Sequence, residues 1–148
     1  MAFVIENPPV VIQAPCGVVW RILADFNRYP QWNPLTFKID GELRVGAPLV
    51  LHVRLSERHK RLQKEVLTDL EPGLRLAWSP TFLPFLLKAK RWQVLESQDP
   101  QQTIYRTWES FAGLLSPLVI WLYRQDIQKG FWEMSQALKK RAETLHQI

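Results

Sequence analysis

The side chains able to do chemistry in this 148-residue chain are few, and most lie on alternating stretches. From Thr103 to Phe111, Thr103, Tyr105, Thr107, Glu109 and Phe111 share one side of an extended strand, and Arg106 and Trp108 share the other. A period of 2 groups the residues but does not say which group faces inward. Tyr105 and Phe111 favour the Thr107 and Glu109 side, whereas Trp108 favours the opposite one. Turned inward, Glu109 would be costly unless paired or protonated, and such a carboxyl can orient a ligand or move a proton. His52 and Arg54 on an earlier strand, with Asn33 in a loop near the start, are further candidates to point among aromatics.

Other chemistries find little support. Cys16, near a helix start, could carry a lowered pKa, but a nucleophile needs a base and no histidine is near it in sequence. His52, His59 and His146 lack metal-ligand spacing, so neither a metal nor a cofactor is expected. There is no glycine-rich phosphate loop, no nucleophile elbow, and no pair of carboxylates at a telling spacing. The net charge of +5 comes from clusters at Arg58–Lys64, Lys88–Arg91 and Lys139–Arg141. These read as solvated hairpin tips and a helix C-terminus rather than a nucleic-acid platform, which would interleave glycines and exposed aromatics.

The elements that must position these groups follow from periodicity. Phe3 to Ile12 reads as an edge strand bent or interrupted at Pro8-Pro9. Ala14-Pro15 opens a helix of about ten residues with Val19, Ile22, Leu23 and Phe26 as its apolar stripe. A second turn or one-turn helix spans Gln31 to Pro34. Six strands in hairpin succession follow: from Leu35, from Leu49, from Leu62, from Leu74, from Lys88 and from Thr103. The last element is a helix from Ser116-Pro117 to about His146, read as a serine cap with proline at the first helical position. Its apolar stripe is Ile120, Tyr123, Ile127, Phe131, Met134, Leu138, Ala142 and Leu145.

With 47% hydrophobic and 22% charged residues, the chain is expected to form one domain over residues 1–148, with a core that needs no staples. The single cysteine precludes an internal disulfide and suits a reducing compartment. The opening MAFVIENPPV lacks the plan of a signal peptide. The uncharged run from Phe111 to Tyr123, 13 residues with Pro117 inside, is shorter than the ~20 residues needed to cross a bilayer. A cytoplasmic protein is expected.

Ala14-Pro15, Val19-Trp20, Asp25-Phe26, Tyr29-Pro30 and Trp32-Asn33-Pro34 near the start form one recognisable set. Glu109-x-Phe111-x-Gly113-Leu114-Leu115-x-Pro117-Leu118 and Gly130-Phe131-x-x-Met134-x-x-Ala137-Leu138-Lys139-x-Arg141-x-Glu143 form another. In this order they resemble the START-like helix-grip (SRPBCC) superfamily, in its bacterial polyketide cyclase/dehydrase-like branch. The resemblance covers essentially the whole chain. It implies an α+β fold in which a curved antiparallel sheet of about seven strands wraps a long C-terminal helix, with two short helices after the first strand. It also implies a shared cavity and no shared reaction. Thr107 stands where some relatives place a histidine, so an acid–base role carried by that histidine is absent here.

The expected function is binding of a hydrophobic or amphipathic small molecule, lipid- or polyketide-like, between sheet and helix. The cavity candidates are Trp32, Asn33, His52, Arg54, Trp78, Phe85, Trp92, Thr107, Glu109, Tyr123, Ile127, Phe131 and Met134. One alternative is a cyclase/dehydrase-like enzyme that moves a proton with Glu109, His52, Arg54 or Arg106. Another is a protein-interaction module using the same groove. Ser79–Leu87, with two prolines among Phe82, Leu83, Phe85, Leu86 and Leu87, reads either as an apolar gate over the cavity mouth, able to touch a membrane transiently, or as a loop folded onto the sheet edge or an oligomer contact. A monomer or homodimer is expected.

Overall fold

The computed structural model describes residues 2–81 and 85–147. Pro8 and Pro9 cannot donate to a sheet ladder, and they divide the N-terminal stretch into β1 (Phe3–Glu6) and β2 (Val10–Ile12). Both pieces pair antiparallel with the same strand, so the sheet has eight strands rather than the seven expected. Pro15 precedes α1 (Cys16–Ala24), which buries Val19, Ile22 and Leu23. The next turn is a 3-10 segment at Phe26–Gln31, earlier than the sequence pattern placed it. Its cause is the three-residue spacing of Phe26 and Tyr29, which a 3-10 turn eclipses on one side. Their rings meet edge to face at 5.6 Å, and the Tyr29 hydroxyl donates to the Leu23 carbonyl at 2.7 Å.

The remaining strands are β3 (Thr36–Asp40), β4 (Pro48–Ser56), β5 (His59–Glu71), β6 (Arg75–Pro80), β7 (Lys88–Asp99) and β8 (Gln102–Ala112). All pair antiparallel, in the spatial order β1-β8-β7-β6-β5-β4-β3, with β2 also on β8. Register aligns one inward row across the middle of the sheet: Leu67 opposite Trp78, Trp78 opposite Arg91, Arg91 opposite Glu109, and Glu109 opposite Ile5.

The inner face is covered by α2 (Ser116–His146). Ser116 is not the cap: Leu115 holds that position, and the Ser116 hydroxyl donates back to the Gly113 carbonyl at 2.7 Å. Gly113, at φ +101°, makes the turn into the helix, where a Cβ would lie 2.7 Å from the Leu86 carbonyl oxygen. Gly130 lets the helix approach Leu35, whose Cδ1 would be 2.7 Å from an added Cβ. This is the α+β helix-grip architecture: a curved antiparallel sheet closed round one long helix.

The two halves of α2 are packed differently. Met134, Leu138 and Ala142 are fully buried, where the helix meets α1, β1 and β2. Val119, Tyr123, Ile127 and Phe131, nearer the N-terminus, face open space across from β4 to β8.

Candidate functional site

The space beneath the first half of α2 is a cavity of about 510 Å³, a size suited to a small organic ligand. Leu51, Val53 and Leu55 of β4, Trp78 of β6, Ala89 of β7, Phe111 of β8, and Leu35 and Leu87 supply apolar walls. Arg61, Gln63, Lys64 and Glu65 of β5, Arg91 of β7 and Glu109 of β8 supply polar groups.

Strand alternation explains the division. On β4, Leu49, Leu51 and Val53 are buried, so the intervening His52 and Arg54 are turned outward. There the His52 Nε2 meets the Asp40 carboxylate at 2.8 Å, and the Arg54 guanidinium lies over the Phe37 ring. Neither residue lines the cavity. On β7, Ala89, Arg91, Gln93 and Leu95 are buried, and Trp92 stands on the outer face, stacked on Trp108 with ring centroids 6.1 Å apart. Trp92 is therefore also outside the cavity. Arg106 is outward too, beside Glu96 at 3.6 Å.

Trp32 packs edge to face on Tyr29, and Asn33 accepts the backbone N–H groups of Leu35 and Thr36 at 3.0 and 2.9 Å. Both border a shallow outer groove with Phe37 and Arg54, not the main cavity. Phe85 is exposed on the β6–β7 connection and is not part of the cavity wall. Of the remaining Ser79–Leu87 residues, Pro80, Thr81 and Leu87 line the cavity, while Phe82, Leu83 and Pro84 lie outside the described residues. Trp78, Glu109, Tyr123, Ile127 and Phe131 do line it. Thr107 and Met134 lie just beneath its floor, where both touch Arg91.

Arg91 organises that floor and was hidden in what the sequence pattern presented as a solvated basic cluster. Its side chain is buried and stands 4.3 Å over the Phe131 ring, with Trp78 at 5.8 Å. Nε donates to Thr107 Oγ1 at 3.3 Å, and Nη2 reaches Met134 Sδ at 3.0 Å. Thr107 in turn donates to the Trp92 carbonyl at 2.8 Å, which holds its lone pairs toward Arg91. A guanidinium has five N–H donors, and Thr107, Met134 and the adjoining Tyr105 hydroxyl do not engage them all.

Two carboxyls share the site, although nothing in their sequence spacing announced a pair. Burial and the charge of Glu109 push the Glu65 carboxyl up to about 8, against the pull of Arg91 and Arg61. Burial pushes Glu109 up to about 7, and the same two arginines oppose it. Glu109 faces the open space of the cavity, but the surrounding walls withhold bulk water from it. One oxygen of Glu65 has no hydrogen-bond partner among the described residues. Near neutral pH the pair therefore holds protons that ordinary carboxylates would have released.

Beyond the cavity, the Cys16 thiol points to the Gly73 carbonyl at 3.3 Å and burial raises its pKa, the reverse of an activated nucleophile. Among the described residues no group of three His, Cys, Asp or Glu side chains could hold a metal ion. No described helix is long and apolar enough to cross a membrane.

The family model for polyketide cyclase/dehydrase and lipid transport matches residues 8–143. The chain belongs to that family. The fold comparisons agree with this membership. The Zhui aromatase/cyclase from Streptomyces sp. R1128 aligns with a TM-score of 0.79 at 19% identity, covering 97% of this chain and 94% of that one. A START superfamily protein from Mycobacterium smegmatis aligns with a TM-score of 0.74 at 17% identity, covering 97% and 98%. Norcoclaurine synthase from Thalictrum flavum aligns with a TM-score of 0.70 at 14% identity, covering 95% and 86%. At these identities the likeness is one of fold. No curated protein sequence matches the chain. This member of the family is a ligand-binding helix-grip domain whose cavity carries a buried arginine, Arg91, a buried carboxyl, Glu65, and a half-buried one, Glu109.

Proposed function

We propose that the domain binds an amphipathic small molecule, lipid- or polyketide-like, with its apolar body between β4–β8 and α2. Its polar end is an oxygen acceptor, a carbonyl or a phenol, set against Arg91. The observation that carries this is the buried Arg91 guanidinium, which lines the cavity and is anchored through Thr107 and Met134 with donors to spare. A buried cation without a full set of acceptors is destabilising, and a ligand oxygen would supply what is missing. A reducing, cytoplasmic setting suits the free thiol of Cys16.

The test is native mass spectrometry of the purified protein, with thermal shift across fatty-acyl, isoprenoid and aromatic polyketide-like ligands. A copurified mass or a shift that is lost in Arg91→Met supports the proposal. Absence of both would sink it.

A second reading has its own observation. Glu65 and Glu109, with pKa values of about 8 and about 7, can donate or accept a proton near neutral pH. Cyclase- or dehydrase-like proton transfer on the bound molecule would use Glu109 as the acid or base, with Arg91 polarising the ligand oxygen. If turnover of a polyketide-like substrate survived Glu65→Gln/Glu109→Gln, that reading would be wrong.

A further inference from the structure

The N-terminal end of α2 has a second apolar face that the fold leaves uncovered. Leu118, Trp121 and Leu122 all point outward, and Trp121 is 80% exposed. Leu114, just before the helix, is 78% exposed and Phe85 is 66% exposed. The five residues are brought together by the backbone. Leu114 N–H donates to the Phe85 carbonyl at 3.3 Å, and Leu115 N–H to the Leu86 carbonyl at 2.7 Å, so the β6–β7 connection is tied to the helix start. Leu114, Leu118, Trp121 and Leu122 then follow at helical spacing. Buried stripe and exposed stripe lie on the same turns, since Val119 and Tyr123 line the cavity.

The charge around this patch is predominantly positive. The β4–β5 hairpin carries Arg58 at its tip, Lys60 and Arg61 beside it and Lys64 further along β5, and the Arg61 guanidinium stands 5.6 Å over the Tyr123 ring, which brings this end of the hairpin beside α2. Lys88 and Arg124 extend the basic rim. Over residues 57–64, 85–88 and 114–126 these six cations face only two acids, Glu57 and Asp126.

We infer that this corner docks the protein on an anionic lipid surface. Leu and Trp side chains projecting from a basic rim match the interfacial pattern, in which apolar groups enter the headgroup boundary and cations meet anionic headgroups. No described helix could span the bilayer, so the contact is peripheral. The face adjoins the cavity wall formed by Val119 and Tyr123, so an apolar ligand could pass between membrane and cavity with little exposure to water. The inference does not depend on which ligand the cavity holds.

The experiment is flotation of the full chain with vesicles of phosphatidylcholine alone, and with vesicles in which about a third of the lipid is phosphatidylglycerol. The protein should float with the anionic vesicles, much less with the neutral ones, and less as salt rises. Leu118→Glu/Trp121→Glu should lower partitioning by at least about tenfold, and Arg58→Glu/Lys60→Glu by about fivefold per charge removed. These side chains are exposed, so circular dichroism and Tm should match the wild type, and any thermal shift by a soluble cavity ligand should persist. Failure of the wild type to float with anionic vesicles overturns the inference. So does equal flotation of the Leu118/Trp121 variant. A concentration-dependent dimer in sedimentation velocity, abolished by Trp121→Glu with no vesicle binding, would instead assign the face to a second copy of the chain.

Discussion

Arg91 and Glu109 are directly opposed on β7 and β8, yet the guanidinium is directed onto the Phe131 ring, Thr107 and Met134 rather than onto the carboxyl. Direct pairing would have consumed both charges within the protein. The observed arrangement leaves a polar pair whose members both face a third party. Glu65, raised further by the charge of Glu109, adds a second carboxyl to the same space.

Replacing Arg91 with methionine keeps an apolar stem over Phe131 and removes the donors. Hydrogen bonds to a charged group contribute roughly 1.5–3 kcal/mol. Ligand affinity should therefore fall by at least about tenfold, with Tm in the absence of ligand changed little. Isothermal titration of any ligand found by native mass spectrometry checks this. Unchanged affinity would move the polar end of the ligand away from Arg91.

The two carboxyls make stability depend on pH with a definite sign. Both bind their protons more tightly in the folded chain than in the unfolded one, where the ordinary value is 4.5. Below 4.5 the proton is bound in both states, and their contribution is fully present. As pH rises the unfolded chain releases first, while the folded chain holds its protons until about 7 and about 8. Their contribution is therefore lost between pH 4.5 and about 8. Arg61, Arg91 and Lys64 face the same space and limit the effect. Glu65→Gln/Glu109→Gln should exceed the wild type in stability at pH 9 by on the order of 3 kcal/mol and match it more closely at pH 4. Thermal melts across pH measure the difference, and a difference that did not grow with pH would refute the coupling.

Much of the fold can be read from period alone. The step from alternation to a three-four spacing at Ser116 marks the change from sheet to helix, and α2 runs from Ser116 to His146 as its stripe implies. The site is harder to read because a strand gives parity, not direction. On β4 the signal was present: Leu49, Leu51, Val53 and Leu55 are the apolar parity, which already excluded His52 and Arg54. On β7 the bulk of Trp92 outweighed the smaller Ala89, and Arg91 was lost among neighbouring lysines. Ala89 and Leu95, on the same parity as Arg91, were the available clue. Glu65 and Glu109 lie on strands far apart in sequence, and only curvature of the sheet brings their charges together. No spacing rule could have paired them.

The outward side chains give a direct check on which parity matters. Removing His52 and Arg54 together breaks contacts to Asp40 and Phe37 on the far side of β4. Ion pairs this accessible contribute at most about 1 kcal/mol. His52→Ala/Arg54→Ala should therefore leave ligand affinity within about twofold of wild type, with a Tm lower by only a few degrees. A tenfold loss in affinity would place these residues on the ligand path through the outer groove near Trp32.

The contrast between the two halves of α2 can be tested with one substitution made twice. Ala142 is fully buried in the packed half, while Ala89 is buried on the cavity wall. Leucine at either position adds the same three carbon atoms. In a close-packed core the added volume forces neighbours off their preferred rotamers, at a cost of about 1–3 kcal/mol. Ala142→Leu should therefore lower stability by about that amount. Ala89→Leu can direct its side chain into the open 510 Å³, gaining apolar burial with little strain. Its stability should be within about 1 kcal/mol of wild type, or above it, while ligand affinity falls because the space is taken. Denaturant titration of both variants, with ligand titration of Ala89→Leu, separates a hollow from a filled interior. Equal destabilisation of the two would mean that the space under Tyr123 and Phe131 closes in solution, and the binding function would have to lie elsewhere.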